Sequence, residues 1–292
     1  MNLLLSLTQK LLTSLGNDFS DNWDSFRFGK KVKSQSNIKL PSVCGILNTR
    51  GYFHILQSKY LLNNAQSIFG KYWANLEKTY NLLEDQVSRE IYIELLAYRQ
   101  LGHKKVKLSS NNSIRNEHLE KIPKCINFQD FIDSNFDNHK LYLHNFIYNN
   151  LKIKLYLTES GILNSFFLGQ YRLNENCAPK DGDFIIDCGA CWGDSTIEFA
   201  ASVGDEGKVF AYEFIPRSKE IFQKNIELNP SLTERIELID NAVWNRSGID
   251  VYYKDDGPGS RVEMETFNGY ESTTTTISID DLVETYNIPR LD

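Results

Sequence analysis

Long apolar runs are missing from this chain. No stretch of about 18 uninterrupted apolar residues occurs in its 292 positions, which excludes a membrane-spanning helix. An excess of positive charge is missing too. Thirty-two Lys and Arg stand against 38 Asp and Glu, a formal net charge of −6, so little is available to neutralise a phosphate backbone, and nucleic acid is disfavoured as the main partner. The five cysteines are odd in number and irregular in spacing, which excludes a disulfide framework and points to a reduced, cytoplasmic setting. Internal repeats are absent, and the only low-complexity segment is Thr273 to Thr276. The leucine-rich start, Met1 to Gly16, lacks a basic n-region and a small-residue cleavage site, so it does not read as a signal peptide. Leu4, Leu7, Leu11 and Leu15 recur there at helical spacing and predict an amphipathic helix packed on the core. With Lys10 as its only cation, that helix lacks the charge for a membrane surface.

What is present is ordinary for a globular chain: 41% hydrophobic and 24% charged residues, in a length that accommodates two domains. The pairs Lys30-Lys31 and Lys104-Lys105 are short and read as solvated surface. Residues 1–145 read as a mainly helical N-terminal region and 146–292 as the start of an α/β domain. The clearest helix runs from Tyr72 to Leu101, with Trp73, Leu76, Tyr80, Leu83, Val87, Ile91, Leu95 and Tyr98 on one face and Gly102 as its stop. Asn111-Asn112-Ser113 marks a polar loop. Cys125 to Phe131 carries no clear period.

From about Asn150 strands alternate with helices. Phe184 to Cys188 predicts a strand, and Asp194 to Val203 a helix capped by Asp194 or Ser195 and ended by Gly204. Lys208 to Phe214 is a second strand, Ser218 to Leu228 a helix closed by Asn229-Pro230, and Arg235 to Asp240 a third strand. Short links between them imply parallel strands with right-handed crossovers, the first half of a Rossmann-like doubly wound sheet. Ile249 to Tyr253 and Thr275 to Asp280 read as further strands around a Gly257-Pro258-Gly259 turn, and Asp281 to Tyr286 opens a short helix.

The chemistry concentrates at the first of these strands. Asp187-Cys188-Gly189-Ala190-Cys191-Trp192-Gly193-Asp194-Ser195 is a strand end breaking into a glycine turn and a helix, a unit that surrounds one small ligand with backbone. Gly189 and Gly193 let a ligand approach the chain closely. Glu213 ends the next strand, 24 residues after Gly189, where a carboxylate accepts hydrogen bonds from both ribose hydroxyls of an adenosine ligand. A dinucleotide site wants G-x-G-x-x-G, and the middle glycine is absent. Bulky Trp192 and anionic Asp194 would both sit poorly beside a pyrophosphate. S-adenosylmethionine carries no phosphate and has a cationic sulfonium, so acidic residues suit it, and Asp187 can hold its ammonium group.

These residues carry a family resemblance. Asp183 to Ser195 resembles the first motif of the FkbM family of S-adenosylmethionine-dependent methyltransferases, and Gly207 to Pro216 its second-strand motif. Asn225 to Pro230 is similar to the family's "KNIxLNP"-like helix end, Asp240 to Trp244 to the end of its third strand, and Thr276 to Val283 to its approach to the fourth. Leu83 to Arg89 with Tyr98-Arg99 resembles the helical lead-in of some members. The resemblance implies that Asp187, Gly189, Ala190 and Gly193 line the methionine side of S-adenosylmethionine, that Glu213 holds the ribose, and that Phe214 with Asn241 and Ala242 borders the adenine. It implies methyl transfer, usually to an oxygen of a sugar, lipid or natural product, so the partner would be a small-molecule or glycan acceptor. In the family a fourth strand with an acidic residue and a D-x-E-G-like turn comes next, and this chain stops at Asp292 before it. The expectation is a C-terminally incomplete sheet, a fragment of a longer enzyme with weak cofactor binding of its own.

Other constellations point less far. Cys188 and Cys191 form a C-x-x-C without the further ligands that zinc needs, inside a turn that simply wants small side chains. The histidines His54, His103, His118, His139 and His144 are scattered, and only His139 and His144 lie near enough in sequence to reach an acceptor. Tyr171 and Glu159, ahead of the first strand, are better candidates for the mouth of the cleft. Two other classes compete: an interaction module in the helical half with a vestigial sheet, and a nucleotide-dependent oxidoreductase.

Overall fold

In the computed structural model, described residues are 2–19, 69–109, 113–136, 139–173 and 177–292, with side chains of 113–116 left aside. Lys30-Lys31, His54 and the Asn111-Asn112 loop lie outside them. Contacts divide the chain into two units, Met1–Arg115 and Asn116–Asp292.

The first unit is helical. α1 (Leu3–Ser14) is capped by the Asn2 side chain, which accepts from the Leu4 N–H at 2.8 Å. It buries Leu3, Leu7 and Leu11 completely; of the expected stripe Leu7 and Leu11 are in the core, Leu4 and Leu15 are half-buried, and Leu3 takes a place the spacing did not mark. The long helix expected over Tyr72 to Leu101 is two helices, α2 (Trp73–Leu82) and α3 (Gln86–Leu101). Leu83 is extended, and Asp85 restarts the helix by accepting the Ser88 N–H at 2.7 Å. The break changes the buried face. Ile93, Leu96, Ala97 and Leu101 point inward, whereas Val87, Ile91 and Leu95, expected in the core, are exposed.

α4 (Ser113–Lys121) spans the division in sequence, and three antiparallel strands follow: β1 (Ile126–Asp133), β2 (Lys140–Tyr148) and β3 (Leu151–Leu157), in that order. Strand structure therefore begins well before the 145/146 boundary that the sequence suggests. The β1–β2 register slips between Asn127 and Phe131, a bulge that erases the period-two signal there.

After α5 (Glu159–Ile162) comes the parallel sheet: β4 (Phe184–Cys188), α6 (Asp194–Ala200), β5 (Lys208–Tyr212), α7 (Pro216–Glu227) and β6 (Ile236–Ile239), with strand order β4-β5-β6. All its pairings are parallel. Val209 joins the core shared with α6 and β1–β3, whereas Phe210 and Tyr212 join Leu282 and Ile288 on the other face, so both faces are covered, as parallel sheets require. The remaining strands are β7 (Ala242–Val243), β8 (Asp250–Lys254), β9 (Arg261–Glu263) and β10 (Ser272–Ile277), ordered β7-β10-β8-β9; α8 (Ile279–Tyr286) then covers the β5 side just named. The threonine run is thus a strand.

One joint positions the site. The outer edge of β3 pairs with the side chains of Asn225, in α7, and of Asn229, two residues past its end, instead of another strand. Asn225 accepts from the Tyr156 N–H at 2.7 Å and donates to its carbonyl at 3.1 Å. Asn229 does the same for Lys154, at 3.0 and 2.5 Å.

Candidate functional site

The glycine turn joins β4 to α6 and is built on left-handed backbone: Gly189 (φ +100°), Cys191 (φ +50°) and Gly193 (φ +84°). At Gly193 glycine is compulsory, because a Cβ there would lie 2.1 Å from the Phe222 ring. Gly193 is also the helix N-cap, with no side-chain cap, in place of the Asp194 or Ser195 expected from sequence. At Gly189 a Cβ would meet nothing within 4 Å; the backbone there is open.

The open side of Gly189 faces a cleft of about 320 Å³, within the roughly 300–1,000 Å³ range of small-molecule sites. One wall is made by the ends of the parallel strands: Cys188, Gly189, Cys191, Tyr212 to Ile215 and Asn241 to Val243. The opposite wall is Gly257, Pro258 and Ser260 to Val262, from the β8–β9 connection. That connection is fixed by the Gly257 N–H on Asp255 (3.0 Å), by the Ser260 hydroxyl on the Gly257 carbonyl (2.7 Å), and by Phe136 packed where a Gly257 Cβ would be.

Of the sequence-derived residues, the structure brings Gly189, Glu213, Phe214, Asn241 and Ala242 together in this cleft. Asp187, Ala190 and Gly193 sit behind it. Asp187 Oδ2 accepts from the Ser195 and Thr196 hydroxyls at 2.7 and 2.6 Å, tying α6 to β4. Ala190 is buried and donates its N–H to Tyr212 O at 2.9 Å. Phe214 meets the Tyr253 ring edge-on at 5.1 Å. The Asn241 amide is engaged by Thr275 O at 3.0 Å. Trp192 turns into the core beside Phe166 and Ile197, so its bulk does not bear on the ligand as expected; only the charge argument against a pyrophosphate remains.

That charge is concentrated. Glu213 is 6% exposed and accepts from the Ile215 N–H at 2.7 Å. Burial nonetheless pushes its carboxyl up to about 7, against the pull of the Ile215, Cys191 and Phe214 N–H groups, with Asp255 adding a push upward. Burial likewise raises Asp187, against the pull of its two hydroxyl partners. It raises Asp194, whose Oδ2 accepts from Ser165 at 2.7 Å and which also feels Asp187. No cation among the described residues pairs with any of the three. The Tyr171 hydroxyl lies beside Ser195, with Asp194 and Asp187 adding to burial in raising it, and its ring rests edge-on against Phe199 at 5.1 Å.

The other candidates fall away from the cleft. Glu159 begins α5 and makes no described contact with it. His144 is fully buried, with Nδ1 2.7 Å from Tyr142 O and an imidazole lowered to about 4 by burial, so it cannot reach an acceptor. His139 is exposed in the β1–β2 turn, edge-on to Phe136 at 5.8 Å. Both thiols of the C-x-x-C line the cleft and are pushed up, first by burial. No trio of described His, Cys, Asp or Glu is arranged for a metal, and no described helix is long and apolar enough to cross a membrane. Sequence reasoning missed Tyr212, Ile215, Val243 and the whole β8–β9 wall. Its one local signal was the Gly257-Pro258-Gly259 turn.

Fold and cleft together define a Rossmann-like α/β unit with a nucleoside-sized site at its strand ends. No family model matches the chain, and no curated protein matches it. Among solved structures it is similar to the methyltransferase FkbM from Methylobacillus flagellatus (11% identity, TM-score 0.36, 78% of this chain and 44% of that one). It is similar to an S-adenosylmethionine-dependent O-methyltransferase from Thermotoga maritima (30% identity, TM-score 0.21, 24% and 27%). A third is Aeropyrum pernix fibrillarin, solved with natively bound S-adenosyl-L-methionine (18% identity, TM-score 0.23, 36% and 49%). The chain spans less than half the length of each of these.

Proposed function

We propose that the chain is an S-adenosylmethionine-dependent methyltransferase domain, acting on an oxygen of a sugar, lipid or natural-product hydroxyl. The observation that carries the cofactor reading is electrostatic. Three carboxylates, Asp187 and Glu213 buried and Asp194 half-buried, surround an open glycine turn with no described cation to balance them. A cationic ligand relieves that field, whereas a pyrophosphate would add to it. The oxidoreductase reading therefore loses its cofactor.

The residues fit the cationic cofactor in detail. Glu213, ionised, would accept both ribose hydroxyls. Phe214, Ile215, Ala242, Val243 and Val262 offer an apolar slot for the base beside it. Gly189 would leave room for the thioether chain along the open backbone, on the side of the turn behind which the Asp187 and Asp194 carboxylates lie. When bound, the cofactor supplies an electrophilic methyl on sulfur. The protein's part is to hold the acceptor oxygen in line with that methyl, which is chiefly a matter of position, and to exclude water from the cleft. The acceptor class rests on the FkbM resemblance.

Isothermal titration with S-adenosylhomocysteine, S-adenosylmethionine and NAD tests the reading. Binding of the first two that is lost in Glu213→Ala, with no heat from NAD, is expected. Glu213-dependent binding of NAD, or no binding of either sulfur ligand at millimolar concentration, would overturn it.

A further inference from the structure

We propose that Asn225 is a positioning residue that holds the glycine turn in the shape needed for the amino-acid half of the ligand; this rests on the S-adenosylmethionine reading of the cleft. Asn225 lies on α7, away from the cleft lining, and is 0% exposed. Its amide uses its full donor capacity. Oδ1 takes the Tyr156 N–H, and Nδ2 donates both to Tyr156 O and, at 2.8 Å, to Trp192 O in the middle of the turn. One side chain therefore joins the edge of β3 to the turn between Gly189 and Gly193.

The turn needs such an anchor. Gly189, Cys191 and Gly193 all have positive φ, and at Cys191, which has a Cβ, that conformation costs about 1–2 kcal/mol. Within the turn, Gly193 N–H closes on Ala190 O at 2.7 Å, and Ala190 N–H reaches Tyr212 O at 2.9 Å. Trp192 O, held by Asn225, is a further fixed point. Released at Trp192 O, the Trp192–Gly193 peptide is held only on its N–H side, by Ala190 O, and can tilt, and with it Cys191, whose N–H faces Glu213. Asn229 supplies an internal control. It pairs β3 at Lys154 in the same manner and donates its second bond to Asn225 O, without touching the turn.

The test compares Asn225→Ala with Asn229→Ala in the whole chain. Both lose one rung of the β3 joint and are expected to melt at similarly lowered temperatures. Asn225→Ala alone is expected to weaken S-adenosylhomocysteine by about tenfold, the equivalent of one hydrogen bond. Both variants should keep wild-type affinity for 5′-methylthioadenosine, which lacks the amino-acid half. Hydrogen exchange at Cys191 to Gly193, read without ligand, should accelerate only in Asn225→Ala. Equal loss of affinity in both variants, or unchanged exchange in Asn225→Ala, overturns the proposal. If Asn225→Ala does not fold, Asn225→Asp keeps the acceptor for Tyr156 and carries the same comparison. Failure of both Asn225 variants beside a folded Asn229→Ala would assign Asn225 to stability alone and also overturn it. A wild-type chain that binds no sulfur ligand but shows the exchange difference leaves the anchoring of the turn standing and removes the cofactor reading.

Discussion

Glu213→Gln should make the ligand-free protein more stable and the ligand-bound state weaker, and the pH dependence of the first effect is fixed by the structure. Glu213 is buried with only N–H partners, and its carboxyl rises from 4.5 to about 7. A raised carboxyl binds its proton more tightly folded than unfolded. Stability contributed by this site is therefore present below about pH 4.5 and falls away as pH climbs through about 7. At about 1.4 kcal/mol per pH unit, the ionised side chain costs the fold ~3 kcal/mol at pH 8. Glutamine keeps an oxygen for the Ile215 N–H and carries no charge, so most of that cost disappears. For a unit of this size ~3 kcal/mol corresponds to a Tm gain of about 6–12 °C. The assay is thermal unfolding followed by circular dichroism at pH 5 and pH 8. A gain at pH 8 that shrinks towards zero at pH 5 is expected, together with weaker S-adenosylhomocysteine binding at pH 8. An equal shift at both pH values, or destabilisation at pH 8, would refute the idea that an uncompensated buried charge is maintained here for a ligand.

Two further outcomes follow from the same geometry. Gly193→Ala combines a left-handed backbone with a Cβ on the Phe222 ring and should destabilise by about 3 kcal/mol, whereas Gly189→Ala should cost about 1–2 kcal/mol of backbone strain alone and mainly block the cleft; denaturant unfolding and ligand titration separate the two. His144, lowered from 6.5 to about 4 by burial, contributes stability that is full above about pH 6.5 and lost as pH falls towards 4, up to ~3 kcal/mol; His144→Phe should flatten that acid limb in urea titrations between pH 4 and 7.

The parallel half of the fold was legible because its signals are local. Phe184 to Cys188 is an apolar run ended by glycine, and the strand, turn and helix after it occupy a few residues each. The break at Leu83 to Asp85 was illegible because Leu83 continues the apolar period while a single capping side chain, Asp85, starts a new helix. The hairpin at Ile126 to Asp133 was hidden by its bulge. In the cleft, residues at strand ends were readable, since topology places every strand end of a doubly wound unit on one rim. The opposite wall was not. Gly257 to Val262 reaches the cleft only through the β8–β10 pairing, which no local pattern encodes. The direction of Trp192 was also unreadable, because a large side chain in a glycine turn looks the same whether it faces ligand or core.

Asn225 and Asn229 also determine what β3 is unable to do. An outer strand with free N–H and C=O groups is a template on which another molecule can add a strand. Asn225 and Asn229 occupy those groups at Tyr156 and Lys154, and the helix behind them blocks approach from that side. β3 is seven residues long, short enough for these two pairings to suffice. The three-stranded sheet is thereby closed to growth along β3, and substitutions at these positions should appear first as self-association in concentrated solution.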